Sequence, residues 1–285
     1  MQPDQEMINR WTGSAPFWDK HREIIRHMFA PVTEALIKEA KIESRQSVLD
    51  IATGPGEPAL SIAPLVGPQG RIVGVDPIPE MVAAASREAN RRELKNVKFE
   101  AAFADHLPFP PGTFDAVVSR FGIMFFPSPL EAVREMLRVL KPGGKLAFAV
   151  WHFAARNPFH SSLSRVIDLY VDPPALEPDA PDTFRFAAQG KLKEILNQAG
   201  ATASAERLLQ FTIHAPLPVE EFWTLRLEMS KIREKISVLS PEQLTELKRQ
   251  ALESIREYST AGAISFPAEV LIVSGTKARF SEPQA

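Results

Sequence analysis

VLDIATGPGEPAL, residues 48–60, joins a short strand-type run to a turn holding Gly54 and Gly56, and then to a segment that opens a helix. A buried strand delivering its C-terminal end into a Gly-x-Gly turn lets backbone approach a ligand closely, because neither glycine carries a Cβ. GPGEPA also satisfies G-x-G-x-x-A, and Asp76 lies 20 residues beyond Gly56, so a dinucleotide pyrophosphate is one candidate occupant. The loop chemistry argues for another. Pro58 removes an amide donor from the helix start and Glu57 adds a negative charge beside it, so a cationic or neutral ligand fits better.

Outward from this turn, apolar β-type runs alternate with helical patterns between Ser47 and Trp151: SVLDIA, RIVGVD, VKFEAAF, FDAVVSRF and KLAFAVW. That alternation predicts a parallel sheet with crossover helices. PLEAVREMLRVL places Leu130, Val133, Leu137 and Leu140 on one helical stripe and stops at Lys141-Pro142-Gly143-Gly144. Before the block, SAPFWDKHREIIRHMF and VTEALIKEA read as two helices interrupted at Pro31, an extension over residues 1–45. After it, DPPALEPDAPD (172–182) reads as an exposed loop, KLKEILNQAG as a helix, and ERLLQFTIHA as a half-buried edge strand whose partner is EVLIVSGTK. The helical stretch between those two strands contains a capping box at Ser240 and Gln243 and reads as a lid over 216–262, inserted in a domain spanning 46–285.

Composition narrows the chemistry. The chain has 285 residues, 45% hydrophobic and 24% charged, with a formal net charge of −2. No global basic field is present to hold nucleic acid, and neither an 18-residue apolar run nor a leader pattern is visible, so the expected setting is cytoplasmic, with no integral membrane segment. The absence of cysteine removes disulfides, thiolate nucleophiles and thiolate-bound metals. His21, His27, His160 and His214 show no metal-ligand spacing, so no metal is expected. Oligomeric state, monomer or dimer, is left open.

Asp76 at the end of RIVGVD is placed to accept both hydroxyls of an adenosine ribose, or simply to cap the following helix. Asp105 in AFADHLPFPPGTFD can accept from an adenine amine, with Ala104, Leu107 and Ile78 framing an apolar slot.

Four ordered motifs, VLDIATGPG, IVGVDPIPEM, ADHLPFPPGTFDAVVSRFGIMFF and EMLRVLKPGGKLAFAVW, resemble those of the class I S-adenosylmethionine-dependent methyltransferases, in particular the branch similar to ubiquinone/menaquinone-biosynthesis enzymes. The resemblance covers Ser47 to Trp151. It implies a Rossmann-like α/β fold, a doubly wound seven-stranded sheet of order 3-2-1-4-5-7-6 with its last strand antiparallel, and S-adenosylmethionine as cofactor, leaving S-adenosylhomocysteine. It assigns the methionine part to Ala52, Gly54 and Gly56 with Asp50 orienting the loop, and the ribose to Asp76. Pro77, Ile78, Ala104, Asp105 and His106 fall to the adenine, and Arg120, Phe121 and Phe125 to the neighbourhood of the sulfonium. The sequence departs from many relatives at Ala52-Thr53, where those have Gly-Cys.

A sulfonium methyl is already activated, so the protein's task is to align an acceptor and exclude water, and a strong base is optional. Trp11, Trp18, Met124, Phe125 and Trp151 are the candidate walls of an apolar or aromatic small-molecule pocket. His152 is a candidate for proton removal, against the reading of an ordinary loop histidine. The competing functions are an NAD-dependent oxidoreductase and a non-catalytic cofactor-binding regulator.

Overall fold

The computed structural model describes residues 5–173, 179–230 and 232–279. In chain order the elements are α1 (Gln5–Lys20), α2 (Arg22–Met28), α3 (Ala30–Glu39), β1 (Ser47–Ile51), α4 (Ala59–Val66), β2 (Arg71–Asp76), α5 (Pro79–Arg91), β3 (Val97–Ala101), β4 (Phe114–Arg120), α6 (Pro129–Val139), β5 (Leu140–Trp151), α7 (Pro158–Ile167), α8 (Lys191–Gln198), β6 (Thr202–Ala215), α9 (Val219–Met229), α10 (Ile232–Ile236), α11 (Pro241–Arg256), β7 (Ser259–Thr260) and β8 (Ala263–Thr276).

One sheet runs β3-β2-β1-β4-β5-β8-β6, with β7 paired to β8. The first five strands are parallel, β8 is antiparallel to both neighbours, and β6 therefore runs with β5. This is the expected order, extended by the two-residue β7 that folds back on β8 through Ser259↔Ile264 and Thr260↔Ala263. Val48, Leu49, Val117, Val118, Ala147 and Phe148 are sealed from solvent, as parallel strands covered on both faces require. Burying each such large side chain contributes about 1.5–3 kcal/mol.

The expected alternation in β6 is present, with Ile213 buried and Gln210, Thr212 and His214 exposed at the sheet edge. The capping box of α11 forms, Ser240 Oγ accepting from the Gln243 amide and Gln243 Oε1 accepting from the Ser240 amide. Two helical expectations change. The N-terminal extension is three helices, because Pro31 starts α3 at its first turn, where a missing amide proton costs nothing, and the chain breaks at His21 and Phe29. Helix α6 ends at Val139, and Lys141-Pro142-Gly143-Gly144 belongs to β5, tied by the Gly143 amide to the Lys277 carbonyl. The acidic loop 172–182 lies partly outside the described residues.

Two topological facts place the site. The strand order reverses between β1 and β4, which opens a crevice at their C-terminal ends. Because β6 runs with β5, the α9–α11 insertion leaves β6 at that same end. Ion pairs from Glu228 on α9 to Lys20 (2.9 Å) and His21 close it onto the N-terminal helices.

Candidate active site at the strand ends

Both strands flanking the crevice end in a strained residue. Ala52 after β1 has φ of 56° and Phe121 after β4 has φ of 62°, and left-handed backbone at a non-glycine residue costs on the order of 1–3 kcal/mol. The two turns touch. A Cβ on Gly122 would stand 2.6 Å from the Ala52 Cβ, so glycine is required there. Gly54, at φ of 55°, differs: an added Cβ meets nothing within 4 Å, so this glycine faces open space. Gly56, at φ of 112°, is constrained from inside the fold, where a Cβ would lie 2.5 Å from Leu60 Cδ1.

Two buried carboxylates hold this loop. Asp50, fully buried, accepts through Oδ2 from Thr53 Oγ1 (2.6 Å) and the Ala59 amide (3.0 Å), while Oδ1 has no partner. Burial pushes its pKa up to about 7, with the two hydrogen bonds and the Arg120 charge pulling it back. Asp76 accepts from the Gly54 amide (2.9 Å) through Oδ2 and from the Ile78 amide (3.0 Å) through Oδ1, and burial raises its pKa to about 6. It thus ties β2 to the glycine turn and caps α5 at once. Each oxygen retains a second lone pair.

The start of α4 decides between ligand chemistries. The Ala59 amide is taken by Asp50, the Leu60 amide by the Gly56 carbonyl, and the Ser61 and Ile62 amides by the Pro58 carbonyl. Pro58 has none. No donor of that first turn is left to hold a pyrophosphate, which is how helix N-termini bind anions. Glu57 is buried, accepts from Ser61 Oγ at 2.6 Å and lies 3.5 Å from Arg92.

Around the crevice the remaining residues fall into groups. Ile78 is buried, Pro77 and Ala104 are half-buried, and Asp105 and His106 are exposed on a turn closed by the Phe103↔His106 bridge. Trp11 and Trp18 on α1 pack with Ile78 and Met81, and the Trp11 ring meets Phe125 edge-on at 5.3 Å. These tryptophans therefore sit over the start of α5. Trp151 belongs to a separate cluster: it stacks on Phe121 at 4.6 Å and on Phe159 at 6.0 Å, with Phe29 edge-on. Met124 is wholly enclosed in the core.

Arg120 turns from β4 toward α3, donating to Thr33 Oγ1 at 2.8 Å. Burial lowers its pKa, while Glu57 and Asp50 nearby act to raise it. His152 stands apart from the Trp151 cluster, its Nδ1 2.8 Å from Glu269 Oε2 on β8, while Glu269 Oε1 accepts from Gln210 Nε2. Asn157 pins this corner, donating to the His152, Phe153 and Glu269 carbonyls and accepting from the Glu269 amide.

Two groups reach the Trp151 cluster that the motifs do not contain: His160 on α7 and Arg226 on α9. Their signal in the sequence is faint. Arg226 follows Phe222 by four residues and Trp223 by three, which puts a cation on the helix's apolar face.

A family model described as a methyltransferase domain matches residues 49–148. The chain is 36% identical over 165 residues to the uncharacterized methyltransferase YcgJ of Bacillus subtilis, covering 55% of this chain and 63% of that protein. It is 38% identical over 135 residues to the ubiquinone/menaquinone biosynthesis C-methyltransferase UbiE of Pseudomonas putida, covering 47% of this chain and 51% of that protein. The matches thus span between half and two thirds of those relatives. The crystal structure of the Bacillus subtilis YcgJ protein superposes with a TM-score of 0.57 at 21% identity, covering 87% of this chain and 98% of that one. The shared fold extends well beyond the matched domain. Among the described residues no helix is long and apolar enough to cross a membrane.

Proposed function

We propose that this chain transfers a methyl group from S-adenosylmethionine to an O, N or C atom of a small apolar or aromatic acceptor, releasing S-adenosylhomocysteine. The observation that carries this reading is the start of α4: its amides are consumed by Asp50, Gly56 and Pro58, while Gly54 opens onto free space. A sulfonium-bearing nucleoside suits such a turn and a pyrophosphate does not. When bound, that cofactor supplies a methyl already activated as an electrophile.

The chain's residues then have separable tasks. Ala52, Gly54 and Gly56 line the methionine portion, and Asp76 accepts from the ribose with its spare lone pairs. Pro77, Ile78, Ala104, Asp105 and His106 take the adenine, and Phe121 and Phe125 border the sulfonium. The Arg120 guanidinium, buried near Asp50 and Glu57, is suited to a carboxylate at the amino-acid end. Residues 1–45, helical from Gln5, are an extension and 216–262 a lid on a 46–285 domain, together excluding water from the transfer. Trp11, Trp18 and Trp151 wall the pocket, whereas Met124 is sealed in the core, and His152, held by Glu269, is the candidate for proton removal. The expected setting is the cytoplasm, with a small-molecule acceptor and not a nucleic acid.

Calorimetric titration with S-adenosylhomocysteine and with NAD tests the reading. The expected result is micromolar binding of the former, weakened about 10- to 100-fold in Asp76→Ala by the loss of charged hydrogen bonds. Binding of NAD alone would establish an oxidoreductase instead. Cofactor binding without methyl transfer across a broad acceptor panel would establish a regulator.

A further inference from the structure

Two buried acids, Asp50 and Glu57, flank the glycine turn, and one arginine, Arg120, lies within the reach of both charges. Burial lowers the Arg120 pKa, and the charges of Glu57 and Asp50 act against that lowering. Neither acid pairs with it. Asp50 accepts from Thr53 and the Ala59 amide, and Glu57 Oε2 accepts from Ser61 Oγ. Among the described residues Arg120 makes no ion pair and one hydrogen bond, to Thr33 Oγ1. The residue is only half-buried, so its five-donor fork has capacity left for a further acceptor.

Glu57 pairs with a different cation. Arg92, the C-cap of α5, places Nη1 3.5 Å from Glu57 Oε1. This is an ion pair without a hydrogen bond, and Oε1 has no other partner. Arg92 is itself fixed from two sides: its Nε donates to Glu88 Oε1 at 2.6 Å and its Nη2 to Glu23 Oε1 at 2.9 Å. Glu88, 4% exposed, is held through its second oxygen by Arg22 Nη1 at 2.8 Å. Arg22 opens α2 and also donates to the Ala84 carbonyl. An alternating series, Arg22, Glu88, Arg92 and Glu57, thus runs from the N-terminal helices to the glycine turn.

The consequence is electrostatic. Charges in buried surroundings act on one another over several ångströms, because little water lies between them to screen the field. With Arg92 in place, the negative charge of Glu57 is answered at α5 and Arg120 keeps its own charge for a ligand. Without Arg92, Glu57 is a buried acid with no ion pair. Its field then falls on Arg120 and on any carboxylate that Arg120 receives.

We propose that Arg92 is a positioning residue for cofactor recognition: by holding Glu57 it leaves Arg120 free for the ligand's carboxylate, and so sets the preference of the glycine turn for a nucleoside bearing an amino-acid carboxylate. This rests on the S-adenosylmethionine reading and on the place that reading gives Arg120. Arg92 touches no part of the ligand and acts through Glu57. Glu88 and Arg22 keep its fork in place, which gives α2 a part in recognising the cofactor.

The test is calorimetric titration of the full chain with two probes: S-adenosylhomocysteine, and S-adenosyl-3-thiopropylamine, the same molecule without its carboxylate. The parent should bind the first about tenfold or more tighter than the second. Arg92→Met should weaken S-adenosylhomocysteine about 10-fold and leave the amine within about threefold, so that the preference is lost. Adding Glu57→Gln to Arg92→Met removes the acid left unpaired, and should return S-adenosylhomocysteine affinity to within about threefold of the parent. Glu57→Gln alone should bind S-adenosylhomocysteine at least as tightly as the parent.

An Arg92→Met protein that loses both probes equally would overturn the proposal, since a merely structural arginine loosens the turn for every ligand. So would one that keeps the parent's preference, or a double variant that fails to recover. If Arg92→Met does not fold, Glu57→Gln decides: a loss of about tenfold would make Glu57 a ligand contact and sink the proposal. A parent that binds both probes alike overturns the proposal and leaves the cofactor reading standing. A parent that binds neither overturns the cofactor reading and the proposal with it.

Discussion

The two halves of the crevice are held by different kinds of interaction. The floor, at the ends of β1, β2 and β4, is fixed by backbone: Asp50 clamps the Ala59 amide and Asp76 those of Gly54 and Ile78, and Ala52, Gly54 and Gly56 in one turn and Phe121 in the turn beside it all have positive φ. The roof is made of side chains from distant elements. Glu228 on α9 meets Lys20 and His21, Trp11 covers Phe125, and Arg226 reaches His160. A floor built of backbone suits a ligand common to many proteins, because it asks for little more than glycine and an acid. A roof built of side chains can change its chemistry one substitution at a time, which suits discrimination among acceptors.

Filling the floor tests this contrast most severely. Gly54→Val should reduce S-adenosylhomocysteine affinity about 1,000-fold by calorimetry, since the new side chain enters open space where the cofactor belongs, while melting falls only by the roughly 1–2 kcal/mol of left-handed strain. Retained affinity would show that the cofactor is not seated on this turn.

A second variant separates the floor's structural chemistry from its binding role. Asp50 and Asp76 both have raised carboxyl pKa values, about 7 and about 6, so their stabilising contribution is full below about pH 4 and is lost as pH rises through 6–7. Asp50→Asn keeps an oxygen for Thr53 and Ala59 and removes the buried charge. It should melt higher than the parent at pH 8, by on the order of 2 kcal/mol, and close to the parent at pH 5, where the parent carboxyl is already protonated. A variant that melts lower at both values would place the loss in the hydrogen bonds to Thr53 and Ala59.

The smallest effect is expected at the seam of the roof. Glu228→Gln weakens the links to Lys20 and His21 and should cost about 1 kcal/mol, a melting shift of about 2–4 °C. S-adenosylhomocysteine affinity should stay within about threefold, and the KM for acceptor should rise. An equal loss of cofactor affinity would mean that roof and floor act as one unit.

The floor was legible in the sequence because its parts are local. VLDIATGPGEPAL carries strand, turn and helix start together, Asp76 follows at a set distance, and continuous apolar runs announce buried parallel strands. Even there the sequence mistook one role: the charge of Glu57 argued against an anion, whereas in the fold the exclusion comes from amides consumed by Asp50, Gly56 and Pro58. The aromatic residues were legible as apolar but not as two groups. Trp11 and Trp18 lie on the same side as Ile78, and Trp151 lies with Phe121 and Phe159.

What the sequence determined by itself was the alternation of parallel strands and crossover helices and the glycine turn at its centre, since strand periodicity and turn chemistry act over a few residues, while the strand order was implied by the family resemblance. The tertiary structure decided the roof. Arg226 reads in FWTLRLEM as one more solvated helix cation, and His160 as one more loop-proximal histidine. Only when α9 packs against α7, beside Trp151, does their burial without a counter-ion come into being. Desolvation is a property of what surrounds a group, and the residues that surround these two come from strands and helices far away in the chain.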